Sequence, residues 1–157
     1  MNYDILKSLD LLNEKVSEFI HFFQQEITFD FMVYELWSAK DILGHIVFWH
    51  ESFARNLKDI SLGKKPNPLK GKLSEVNKMS VDTTRPISVS DLIVRLETAQ
   101  KTIATHITNS SIELIPYKRG SRSYSRLEHL QVVEGHISKH LKDLRKVLKR
   151  IKVKGRV

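Results

Sequence analysis

The stretch Leu130-Gln131-Val132-Val133-Glu134-Gly135-His136-Ile137-Ser138-Lys139-His140-Leu141 reads as helix, and it decides the fold. Leu130, Val133, Ile137 and Leu141 recur at spacings of three and four, and the stripe continues through Leu144 and Leu148. At about 100° per residue, His129, His136 and His140 fall along one edge of that stripe, with Val147 below them. The edge points into the groove toward a neighbouring helix. His136 and His140, four residues apart, sit one turn apart on the same side, so both imidazoles reach a single ion. His129 is about 10 Å along the axis from His136 and is not expected to share that ion; a supporting or structural role is left to it.

A helix with a buried edge needs partners, and the chain supplies three. Tyr3 to about Gln25 carries the stripe Ile5, Leu9, Leu12, Val16, Phe19 and Phe23. The second helix opens at Trp37-Ser38-Ala39-Lys40-Asp41, where Ser38 is a good N-cap and Asp41 at N3 completes the pattern of a capping box. It runs to about Ser61, with Gly63 as its stop, and turns Ile42, Ile46, Trp49, Phe53, Leu57 and Ile60 inward. Val47 and Phe48 add apolar surface elsewhere, which predicts cover on more than one side, by the bundle or by a second copy in a homodimer. The third helix is expected over Val89 to Ile107, capped by Ser88 or Ser90. The fourth is expected from a cap at Ser123 or Ser125 to about Arg150.

Long connections join these helices. Gln25 to Leu36 alternates briefly at Ile27, Phe29, Phe31 and Val33; a packed connection is expected there rather than a strand, because no partner of similar length exists. Leu62 to Pro86 is polar and basic, with a short helix expected over Leu73 to Met79 and Asn77 placed to face a cavity. Asn109 to Ser123 ends in Lys118-Arg119-Gly120-Ser121-Arg122, a basic turn suited to the mouth of a site. The fold class is therefore all-α, a four-helix bundle with long crossover connections, in one domain over residues 1–157.

Bulk properties exclude several classes. With 6 glycines and 4 prolines, the 157 residues hold little turn chemistry for an all-β fold. There is no cysteine, so a thiol nucleophile, a disulfide and a thiolate metal site are all impossible, and protein ligands to a metal must be His, Asp, Glu or backbone. No apolar run is long enough for a membrane span, and Met1-Asn2-Tyr3-Asp4 has no basic n-region; a cytoplasmic location is expected. The net charge of +8 owes much to a basic tail at about 150–157, preceded by Arg145, Lys146 and Lys149. That tail suits either a nucleic-acid contact or a solvated helix end, and the lack of interleaved aromatics favours the second.

The remaining histidines divide by position. His45 flanks the inward stripe beside Ile42 and Trp49, and His50 lies on the opposite flank; His21 is expected at the surface and His106 in a structural place near a helix end. Four helices, a histidine on the second and an HxxxH pair on the fourth resemble the DinB-like superfamily of four-helix bundles. The strongest local matches are Trp37-Ser38-Ala39-Lys40-Asp41-Ile42-Leu43-Gly44-His45-Ile46 with Trp49, and Glu134-Gly135-His136-Ile137-Ser138-Lys139-His140. The basic loop after Gly63, Asn77 and the third helix also look like the ClbS/DfsB subgroup. The resemblance implies that His45, His136 and His140 bind a divalent metal of the nickel, zinc or iron class, with open positions for water or substrate. It also implies a homodimer, and a hydrolase or thiol-dependent transferase acting on a small molecule. Its ClbS/DfsB members act without the triad, which leaves a metal-independent binding or genotoxin-resistance role as the alternative, and the superfamily's link to DNA damage adds a nucleic-acid-associated role.

A metal-bound imidazole needs its second nitrogen held by an acceptor. Glu134 is about 160° round the helix from His136, Asp143 is read as similarly turned from His140, and Asn56 lies three turns beyond His45; none of these is expected to serve. No carboxylate stands out as a catalytic base.

Overall fold

A computed structural model describes residues 3–155 of the protein; Arg156, in the basic tail, and Met1-Asn2 lie outside the described residues. Helices α1 (Tyr3–Phe22), α2 (Ala39–Ser61), α3 (Leu73–Asp82), α4 (Val89–His106) and α5 (Arg126–Val153) run in that order, with no strand among the described residues. The four long helices are those expected from the periodicity. The short α3 is one turn longer than its apolar pattern suggests.

Capping sets the helix starts. Ser38 accepts from the Asp41 backbone N–H, and Asp41 returns a bond to the Ser38 backbone, so both orphan donors are satisfied. Ser125 and Glu128 repeat the device at α5, and Ser88 caps α4. Thus Ser125 rather than Ser123, and Ser88 rather than Ser90, begins each helix.

In the packing, α1 lies against α5 and α2 against α4, with α3 laid over α2. Leu12, Phe19, Ile42, Leu57, Leu96, Ile103 and Leu130 meet in one core and are all fully buried. Shortening any of these leucines to alanine costs about 2–5 kcal/mol, because the close-packed surroundings relax only in part. Val47, on the supposedly surplus face of α2, is also fully buried within the single chain. The bundle thus covers Val47, whereas Phe48 beside it is half-buried.

Two connections position residues around the histidines. Phe29 and Phe31 turn their carbonyls to the Lys40 and Ala39 N–H groups, both at 2.9 Å, so the segment between α1 and α2 supplies acceptors to the first turn of α2. This anchors Tyr34 against α5. Between α4 and α5, Ile115 and Tyr124 exchange backbone bonds of 2.8 and 3.0 Å, closing a loop that carries Pro116 and Tyr117 over the core.

At Gly44 the backbone of α2 lies hard against Thr84. A Cβ built there meets Thr84 Oγ1 at 2.0 Å, so only hydrogen fits where the chain beyond α3 crosses α2.

Candidate metal centre

The inward edges of α2 and α5 bring His45, His136 and His140 together, with one ligand atom from each within 4.8 Å of the others. His45 and His140 are buried and His136 half-buried. His45 Nε2 lies 3.1 Å from His136 Nε2, and His140 Nε2 lies 3.0 Å from the same atom. Two imidazole nitrogens bound to one tetrahedral ion at about 2.0–2.1 Å stand roughly 3.3 Å apart, so the spacing suits an ion with little movement.

The outer nitrogens explain why the inner ones converge. Ser80 donates its hydroxyl proton to the Asn77 carbonyl at 2.6 Å, which leaves its oxygen to accept from His45 Nδ1 at 2.9 Å. Tyr34 donates its proton to Asp143 Oδ2 at 2.5 Å, and its oxygen then accepts from His140 Nδ1 at 2.8 Å. Each imidazole therefore carries its proton on Nδ1 and turns a bare Nε2 lone pair inward.

Burial pushes the pKa of His45 down to about 2, with the neighbouring His136 and His140 adding to it. Burial likewise lowers His136 to about 4 and His140 to about 3. All three are neutral near pH 7, the form that binds metal. Yet His136 has at most one proton on Nε2 to offer two facing lone pairs. A cation among the three nitrogens satisfies them all, and the residues present fit a divalent ion.

Asp143 corrects an expectation. Three residues along a helix amount to about 300°, so Asp143 is only about 60° from His140 and on the same side. It reaches the histidine through Tyr34. Burial and the Asp143 carboxylate hold the Tyr34 hydroxyl protonated well above the ordinary phenol range. Glu134, by contrast, accepts from Ser138 at 2.8 Å and leaves His136 alone, as its position round the helix implies. Ser80 and Tyr34 carried no spacing signal of their own. Trp37 packs against the His45 ring with centroids 4.6 Å apart, and Trp49 donates to Asn77 Oδ1 at 2.9 Å, which pins α3 over the site.

The other histidines stay outside the cluster. His129 is buried and stacks on Phe53 with ring centroids 3.8 Å apart and planes 5° from parallel. His50 pairs with Gln100 at 2.6 Å, His106 meets Ser61 at 3.0 Å, and His21 is exposed. A small cavity of about 40 Å³ adjoins His136 and is walled in part by Trp49, Pro116 and Tyr117, so the basic turn at 118–122 continues directly from the cavity wall.

This geometry can be compared with solved structures. A mycothiol-dependent maleylpyruvate isomerase superposes on 92% of this chain with a TM-score of 0.71 at 12% identity. The chain has a DinB-like helical fold. An uncharacterised protein from Clostridium difficile 630 is similar over 95% of this chain and 98% of its own, with a TM-score of 0.74 and 14% identity. This chain spans 63% of the isomerase's length. No protein-family model and no curated protein matches the sequence. No helix among the described residues is long and apolar enough to cross a membrane.

Proposed function

We propose that this protein is a metal-dependent enzyme acting on a small molecule, with His45, His136 and His140 as ligands to a divalent ion of the zinc, nickel or iron class. One observation carries the reading: Ser80 and the Tyr34–Asp143 pair fix two imidazoles in the tautomer that turns bare Nε2 atoms toward His136. When bound, such an ion supplies a Lewis acid with positions left for water or substrate.

Hydrolysis and thiol-dependent transfer are the two reaction classes proposed. The chain lacks cysteine, so a thiol reaction draws its sulfur from a soluble co-substrate. Likeness to an isomerase whose name specifies mycothiol supports that class. The protein's own part is to orient the histidines, to exclude bulk water from half-buried His136, and to carry the substrate beneath the Trp49–Tyr117 wall.

Zinc-, nickel- and iron-loaded protein should be assayed against small esters and amides, and against electrophiles supplied with a low-molecular-weight thiol. Metal-dependent turnover that His136→Ala abolishes is expected. Equal rates for the loaded protein, the metal-free protein and the variant would overturn the proposal.

A further inference from the structure

Two buried polar atoms among the described residues have no hydrogen-bond partner: Asn56 Oδ1 and His129 Nδ1. Both residues are 1% exposed, and both line the cavity that adjoins His136. Buried polar atoms in folded proteins are nearly always paired, so two unpartnered ones beside one cavity point to an occupant that pairs with them.

The Asn56 amide is oriented by its other end. Nδ2 donates to the Pro116 carbonyl at 3.3 Å, and a carbonyl only accepts, so Oδ1 is the atom left over. It requires a donor from the occupant. His129 is held neutral, its pKa pushed down to about 3 by burial and then by His50. The cavity thus offers hydrogen bonds without a formal charge. Its walls include two stacked pairs, Phe53 on His129 and Trp49 on Tyr117, the latter with centroids 4.9 Å apart and planes 14° from parallel. A volume of about 40 Å³ has room for about three waters or one small functional group.

We infer that this cavity is a recognition subsite for a neutral substrate group that donates a hydrogen bond to Asn56 Oδ1, a carboxamide or a hydroxyl. Asn56 and His129 position that group, and His136, shared by cavity and cluster, sets it beside the three-histidine site. Only the location of the substrate's reacting end rests on the metal-dependent reading; occupation of the cavity stands without it. A carboxylate is disfavoured, because it brings a charge into an uncharged pocket and gives Asn56 Oδ1 no proton. A ketone of the same size leaves Asn56 equally unpaired.

The test uses three probes matched in size: acetamide, acetone and acetate. Zinc-treated protein labelled with nitrogen-15 in histidine is titrated with each while the His129 ring nitrogens are followed by NMR. Acetamide is expected to shift them saturably, and acetone and acetate are not. Asn56→Leu should weaken acetamide by about tenfold, the loss of one good hydrogen bond. Crystals of the unaltered protein soaked in acetamide give a readout free of any folding defect in that variant. An amide nitrogen within hydrogen-bond distance of Asn56 Oδ1 supports the subsite. Ordered water alone there, or equal response to acetamide and acetone, overturns it. Metal content measured on the same samples separates the two readings. A shift in protein that holds no metal keeps the subsite and removes the metal proposal; bound metal without a shift does the reverse.

Discussion

Tyr34 Oη stands 2.8 Å from His140 Nδ1 while its own proton goes to Asp143, so a residue from an irregular connection fixes the tautomer of a helical histidine 106 positions away. Tyr34→Phe removes the acceptor and leaves the ring that packs beside Trp37. Loss of such an outer partner weakens metal binding by about 10–100-fold. Competition against a chromophoric chelator measures this, and an unchanged affinity would show that the Tyr34–Asp143 pair does not orient the site.

Ser80 performs the same service for His45. Ser80→Ala leaves the Nδ1 proton of a 2%-exposed ring without a partner, at a cost of about 1–3 kcal/mol, unless the ring changes tautomer. Either response reduces zinc affinity, and the first also lowers the thermal midpoint of the metal-free protein. Chelator competition and calorimetry check the two effects separately. Wild-type values in both would show that Ser80 does not hold His45.

These supports show where sequence reading reaches its end. His136 and His140 were legible as a pair because helical phase puts both on an inward edge; His45 joined them through the resemblance to the DinB-like superfamily, its own position saying only that it flanks an apolar stripe. Caps and periodicity are local, so short stretches state them. Tyr34 was not legible, because its position depends on the Phe29 and Phe31 carbonyls finding the first turn of α2. Nor was the role of Ser80, which depends on how α3 lies over α2 and on Asn77 accepting its proton. Asp143 was within reach, since its angle from His140 is a matter of counting, but without Tyr34 the pairing had no intermediary. What covers the second apolar face of α2 was likewise open in the sequence: Val47 is buried by the bundle and Phe48 only half-buried, and no pattern within α2 distinguishes them.

Gly44→Ala is expected to destabilise the fold by about 1–3 kcal/mol, the range for overpacking a close contact. The added carbon meets Thr84 Oγ1 at 2.0 Å and Thr84 Cβ at 2.7 Å. Denaturant unfolding reads the loss. Thr84→Ala in the same chain should recover part of it, because the nearer clash goes and the Cβ clash remains. No loss in the single variant would contradict the close approach of the segment beyond α3.

Acid should destabilise the fold through its buried histidines. His50 is held down to about 4 by burial, and His129 to about 3 by burial and then by His50. The unfolded chain takes up protons as pH falls through about 6.5 while these folded-state rings stay neutral. Stability is therefore complete above that pH and declines toward pH 4. His129→Phe keeps a ring against Phe53 and deletes one titrating site. Thermal midpoints at pH 7.5 and pH 5 should fall less in this variant than in the parent. Parallel declines would show that His129 is not held neutral in the fold.

Elemental analysis of untagged protein, purified without chelators, reads out whether His45, His136 and His140 together hold a divalent ion. About one ion per chain is expected, falling to a small fraction in His45→Ala, His136→Ala and His140→Ala alike. A negligible metal content in the parent after exposure to zinc, nickel and iron, or full content in any of the three variants, would contradict it.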